Sequence, residues 1–126
     1  MNPSEERPAS EQPWRQRDGR TVLLAGRRNG RLHFPPLPPS SPLFADGEIV
    51  ELSPRASLYS FTVVHAGPKT GKPPVALGMA DFAEGVRVFG RIECTPGRRP
   101  VIGEALRVCL SESEHGPIYA FEPEQP

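Results

Sequence analysis

Proline constrains this chain more than any other residue, occupying 17 of its 126 positions. Its ring fixes φ and removes a backbone donor, so proline is excluded from helix interiors and from central strands. The densest run is Pro35-Pro36-Leu37-Pro38-Pro39-Ser40-Ser41-Pro42, with five prolines in eight residues. It predicts an extended linker stiffened towards polyproline II. With 12 glycines added, the punctuation favours short strands and turns over long helices.

The apolar pattern agrees. Residues 1–19 hold Glu, Arg, Pro, Gln and Ser around a single Trp14 and read as a flexible arm. Trp14 is the exception, an aromatic that docks either on its own domain or on a partner. Thr21–Ala25 and Arg31–Phe34 are extended runs separated by Arg28-Asn29-Gly30, a turn whose Asn-Gly tolerates positive φ, so a hairpin is predicted.

From residue 48 strands follow one another: Glu48–Ser53 leads into Ala56–His65, then come Val75–Phe82 and Val86–Cys94, a strand carrying Leu106, Val108 and Leu110 on its inner face, and Ile118–Phe121. In the third run Val75, Leu77 and Met79 alternate with Ala76, Gly78 and Ala80, giving one bulky and one thin face. Five main strands with short loops fit an all-β, five-stranded Greek-key barrel of OB type. The expected division is arm 1–19, hairpin and Pro-rich linker 20–47, barrel domain 48–122 and tail 123–126. No helical period and no internal repeat is visible.

Net charge is zero, which disfavours nonspecific nucleic-acid binding, since such proteins use a basic excess to displace phosphate counterions. The charge is uneven, with seven Arg against four acids in residues 1–34 and five Glu against Arg107 in residues 101–126. That asymmetry either steers a partner or belongs to solvated ends. Cys94 and Cys109 stand alone in apolar segments, so no CxxC redox or zinc motif exists. No run is long enough to span a membrane and no signal-peptide core is present, so a cytoplasmic location is expected.

Three segments in order carry a more specific signal: Asn29-Gly30-Arg31-Leu32-His33-Phe34-Pro35-Pro36, Leu58-Tyr59-Ser60-Phe61-Thr62-Val63-Val64-His65, and Ile102-Gly103-Glu104-Ala105-Leu106-Arg107-Val108. Together they resemble, over about residues 20–122, a bacterial and archaeal family built from a rubredoxin-like zinc ribbon followed by an OB-fold. Members accompany thiolases, thiolase-like aldolases or hydroxymethylglutaryl-CoA synthases. The resemblance implies a non-catalytic accessory subunit that binds a thiolase-like enzyme in a hetero-oligomer and supports its acyl-CoA chemistry. The chain departs from the family at the metal. Anchored on Phe34-Pro35-Pro36, the four cysteine positions fall at Gly26, Asn29, Ser40 and Leu43. A tetrahedral structural zinc needs four N, S or carboxylate donors at about 2.0–2.3 Å, so a degenerate, metal-free ribbon is expected.

Chemistry within the chain is sparse. No Ser or Cys nucleophile stands in an elbow motif, and no carboxylate pair is placed for acid–base work. Gly67-Pro68-Lys69-Thr70-Gly71-Lys72 is followed by Pro73 and lacks the phosphate-loop spacing. His115 reads as a turn residue, and His65 as either a barrel cap or a ligand contact. Both cysteines read as packing residues. Binding is the more productive reading. Tyr59, Phe61 and His65 share a strand face with Val63, as an apolar platform or as barrel core. Trp14, Phe34, Pro35 and Pro36 are further candidates for a partner interface. Lys69, Lys72, Arg98 and Arg99 occupy two loops, where they would meet the phosphates of a CoA ester or simply be surface charges. The alternative function is a single-stranded nucleic-acid-binding OB module, which stacks bases on strand aromatics.

Overall fold

The structure is a computed structural model that describes residues 12–36, 47–67 and 69–125. Among them every regular element is a strand. Two sheets share one hydrophobic cluster.

The first sheet is organised around β2 (Arg20–Arg28). Its partners are β1 (Trp14–Arg17), β3 (Arg31–His33) and β4 (Glu48–Glu51). The β2–β3 hairpin forms where Asn-Gly predicts it, with Asn29 at φ 54° and Gly30 at φ 76° in the left-handed region. Gly26 and Arg27 pair with both β3 and β4, so β2 is central. Two expectations change here. Trp14–Arg17 lies inside the stretch read as a flexible arm, yet it pairs with Arg20–Leu23 as a strand. Its carboxylate partner lies on β4, where Glu51 accepts hydrogen bonds from Arg15 and Arg17. Glu48–Glu51, assigned to the barrel domain by sequence, hydrogen-bonds to Leu24–Arg27 of this sheet instead.

The second sheet is a closed barrel of β5 (Arg55–Val64), β6 (Val75–Phe82), β7 (Arg87–Ile92), β8 (Ala105–Ser113) and β9 (Gly116–Pro123). The order is β5-β6-β7-β9-β8, closing on β5. The chain thus leaves β7, crosses to β8 beside β5, and returns as β9 parallel to β7 at Ile92–Phe121. This is the Greek-key path of an OB-fold, and closure removes the exposed sheet edges.

The interior is filled by strands of opposite character. On β7, Val88 and Ile92 are buried, and Val86 is buried just before the strand, as alternation predicts. On β6 the thin face points inward, so Ala80 and Gly78 are buried while Val75, Leu77 and Met79 are only half-buried. The space is taken by Phe121 of β9, which is fully buried. A Cβ on Gly90 would lie 2.7 Å from the Phe121 ring, and one on Gly78 would lie 2.6 Å from the Ser60 carbonyl oxygen. Those glycines let a bulky ring and a neighbouring strand close in, at the density protein interiors require. Leu110, expected on the inner face of β8, is instead 38% exposed.

The core is continuous across both sheets: Leu23, Ala25 and Leu52 join Leu58, Leu106, Val108 and Phe121. No helix among the described residues is long and apolar enough to cross a membrane.

Candidate functional site

The structure separates the candidate residues into three groups. The first is spent on joining the two sheets. Trp14 and Phe34 both pack on Tyr119 of β9, with ring centroids 6.3 and 5.5 Å away, the latter edge-on. Tyr119 donates a hydrogen bond from its hydroxyl to the Phe89 carbonyl oxygen at 2.7 Å, and it stacks edge-on to Phe121 at 6.0 Å. Burial pushes the Tyr119 phenol pKa up. These aromatics therefore cover part of the home barrel, where Trp14 and Phe34 are half-buried. Pro35 is exposed and Pro36 half-buried beside them.

The second group is the expected platform on the long strand, which a bulge breaks. Leu58 pairs with Ala80 and Ser60 with Met79, leaving Tyr59 as the extra residue. A bulge inserts one residue and so inverts the alternation beyond it. Leu58 points inward before the bulge, whereas Phe61 packs on the core after it. Tyr59 is consequently exposed at 51%, with the Arg87 guanidinium 3.4 Å from its ring centre. His65 is exposed beyond the end of β5. Tyr59, Phe61 and His65 do not share a face.

The third group is the loop cations. Lys69, Lys72 and Arg99 are exposed. Arg98 is committed: it forks onto Glu104 through Nη2–Oε1 at 2.6 Å and Nη1–Oε2 at 3.2 Å. The same carboxylate accepts the Val101 amide at 2.6 Å. Hydrogen bonding from Arg98, followed by that amide, holds the Glu104 carboxyl below its usual range despite partial burial. The ion pair is architectural, locking residues 98–104 against β5 through Gly103 N to Leu58 O at 2.7 Å. Sequence reading missed this role, and its signal was the six-residue spacing of an Arg and a Glu across a Gly-containing turn.

At the expected metal positions, Gly26 brings no donor, and the space its side chain would occupy is filled by the His33 ring. Asn29 sits in the hairpin turn. Ser40 and Leu43 lie outside the described residues. This donor set does not fit a thiolate-type zinc site.

The cysteines are set as packing groups. Cys109 is pushed up to about 12, chiefly by burial and then by Glu122 and Glu93. Cys94 is raised by burial, opposed by Arg98. Burial holds the Cys109 thiol protonated at pH 8, so alkylation of the native protein should be slower at Cys109 than in denaturant. Mass spectrometry of iodoacetamide-treated protein checks this, and rapid native labelling of Cys109 would refute its enclosure.

The family described as the C-terminal OB-fold domain of ChsH2 matches residues 49–111. The chain belongs to that family. It is 37% identical over 84 residues to the benzoylsuccinyl-CoA thiolase subunit BbsA of Thauera aromatica, covering 64% of this chain and 58% of that protein. It is 28% identical over 102 residues to the alpha subunit of 3-oxo-4,17-pregnadiene-20-carboxyl-CoA hydratase of Mycobacterium tuberculosis, covering 77% of this chain and 32% of that one. The chain thus spans less than two thirds of either relative. A solved chain of the Ltp2-ChsH2(DUF35) aldolase superposes with a TM-score of 0.63 at 21% identity, over 81% of this chain and 84% of its own. That likeness is one of fold.

Proposed function

We propose that this protein is a non-catalytic accessory subunit that binds a thiolase-like enzyme and supports its acyl-CoA chemistry. The observation that carries the reading is the 37% identity to a thiolase subunit over 84 residues. The local chemistry agrees with it. Arg98 and Glu104 are engaged with each other, and both thiols are held protonated. In this reading the partner supplies the reacting groups, the ribbon persists without metal, and the complex is cytoplasmic. Any direct contact with CoA phosphates then falls to Lys69, Lys72 and Arg99.

The nucleic-acid reading is weaker. Arg55, Arg87, Arg91 and Arg107 on the barrel each sit against a carboxylate, namely Glu124, Asp81, Glu93 and Glu122. Guanidiniums neutralised in this way add little to phosphate binding.

The test is affinity capture of the tagged full-length chain from its native lysate with mass-spectrometric identification. A thiolase-fold protein recovered in near-equal amount is the expected result. Recovery of the chain alone, or with nucleic acid, would end the accessory-subunit reading.

A further inference from the structure

The outer face of β5, β6 and β7 carries bulky apolar side chains among its polar ones, where a solvated sheet face is ordinarily polar. Because β6 turns Gly78 and Ala80 inward, Val75, Leu77 and Met79 line the outside, and cross-strand register arranges them in rows. Val64 stands opposite Val75; Leu77 stands between Thr62 and Arg91; Met79 stands between Phe89 and the Tyr59–Ser60 bulge. Phe89 is 55% exposed, comparable to Tyr59.

A second apolar element adjoins this face. Val101 and Ile102 sit at the tip of the loop before β8, both more than half exposed. Leu58 N donates to Glu104 O at 3.0 Å, and Gly103 N donates to Leu58 O, so the tip is fastened beside the bulge that carries Tyr59. The Arg98–Glu104 fork holds it there. Two bare aliphatic side chains on a locked loop form a pre-ordered anchor, which lowers the entropic cost of binding.

The charges on the face indicate what it takes. Arg87 is forked onto Asp81 at 2.6 and 3.2 Å, and Arg91 contacts Glu93 at 3.2 Å. With its guanidiniums neutralised the face has little pull on a polyanion. Exposed Tyr and Phe with Met and Arg, and no Lys in the rows, is the composition of a protein–protein interface core. We infer that the surface running from Ile102 through Tyr59 to Phe89 is where the thiolase-fold enzyme subunit docks, presenting an apolar patch of low net charge. This rests on the accessory-subunit reading above and assigns that reading its contact surface.

The test titrates the purified thiolase-fold subunit recovered with the full chain against wild type and the variants Phe89→Glu, Ile102→Asp and His115→Glu. His115, in the β8–β9 turn, serves as the control. Phe89→Glu and Ile102→Asp should each raise Kd about 30-fold or more, as charge in a hot-spot position does, while His115→Glu binds like wild type. Circular dichroism and thermal melting of the variants alone should be unchanged, because both side chains are largely exposed. If both variants bind within about threefold of wild type, the surface assignment is wrong and the accessory reading survives. If wild type recovers no thiolase-fold protein, the accessory reading itself fails and takes the docking surface with it. If wild type alone sediments as a dimer that Phe89→Glu dissociates, the occupant is a second copy and the inference is overturned.

Discussion

Phe121→Ala is expected to lower the unfolding free energy by about 3–5 kcal/mol, the largest effect of any single truncation in this chain. Phe121 is fully buried at the one place where β9 runs parallel to β7 and antiparallel to β8. Its ring lies 6.1 Å from Phe82 and 6.0 Å from Tyr119, and it fills the space left by Gly90. Truncation would open a cavity beside Gly78, Gly90 and Ala80, which have no side chain long enough to move in and fill it. For a domain of this size the melting temperature should fall by roughly 10–20 °C. Urea titration of wild type and variant measures the difference directly. A loss below about 1 kcal/mol would mean that the barrel collapses around the gap and that Phe121 does not organise it.

Glu104→Gln is expected to cost about 1 kcal/mol, because it replaces a charge-assisted fork by neutral hydrogen bonds and leaves the Arg98 guanidinium without its counter-charge. Both side chains are largely shielded, 23% exposed for Arg98 and 14% for Glu104, so solvent does little to compensate. The effect should depend on pH. Arg98 holds the folded-state carboxyl below the value of 4.5 that an unperturbed Glu has in the unfolded chain. A depressed carboxyl contributes stability above the unfolded pKa and loses it as pH falls through the folded one. The gap between wild type and Glu104→Gln should therefore be flat above about pH 5 and shrink below it. Melts at several pH values read this, and a gap that persists unchanged into acid would show that the ionised carboxylate is not what holds the loop. The same variant should loosen Val101 and Ile102 and so weaken docking without altering the docking residues themselves.

Much of the architecture was legible because it is written locally. Asn29-Gly30 forms its hairpin since only such residues accept two consecutive left-handed conformations cheaply. Val86, Val88 and Ile92 face the core as their alternation says, and the five barrel strands fall where the apolar runs are separated by Gly and Pro. The candidate site was less legible. Tyr59, Phe61 and His65 look co-facial under strict alternation, but the bulge at Tyr59 opposes two residues to Met79 and turns Phe61 inward. Trp14 and Phe34 look like free aromatics until Tyr119, about a hundred residues from Trp14, is placed between them. Arg98 looks like a loop cation until Glu104 closes on it.

By itself, then, the sequence determined the strands, the turns and the barrel class, all of which depend on φ preferences and side-chain size within a few residues. Tertiary structure alone decided which face of β6 is inside, where β4 pairs and which aromatics reach solvent. Those outcomes depend on volume and hydrogen bonds supplied by distant strands. A ring from β9 fills the barrel beside Gly78 and Ala80 of β6, so Val75, Leu77 and Met79 of that strand turn outward, and that outward turn creates the face proposed for docking.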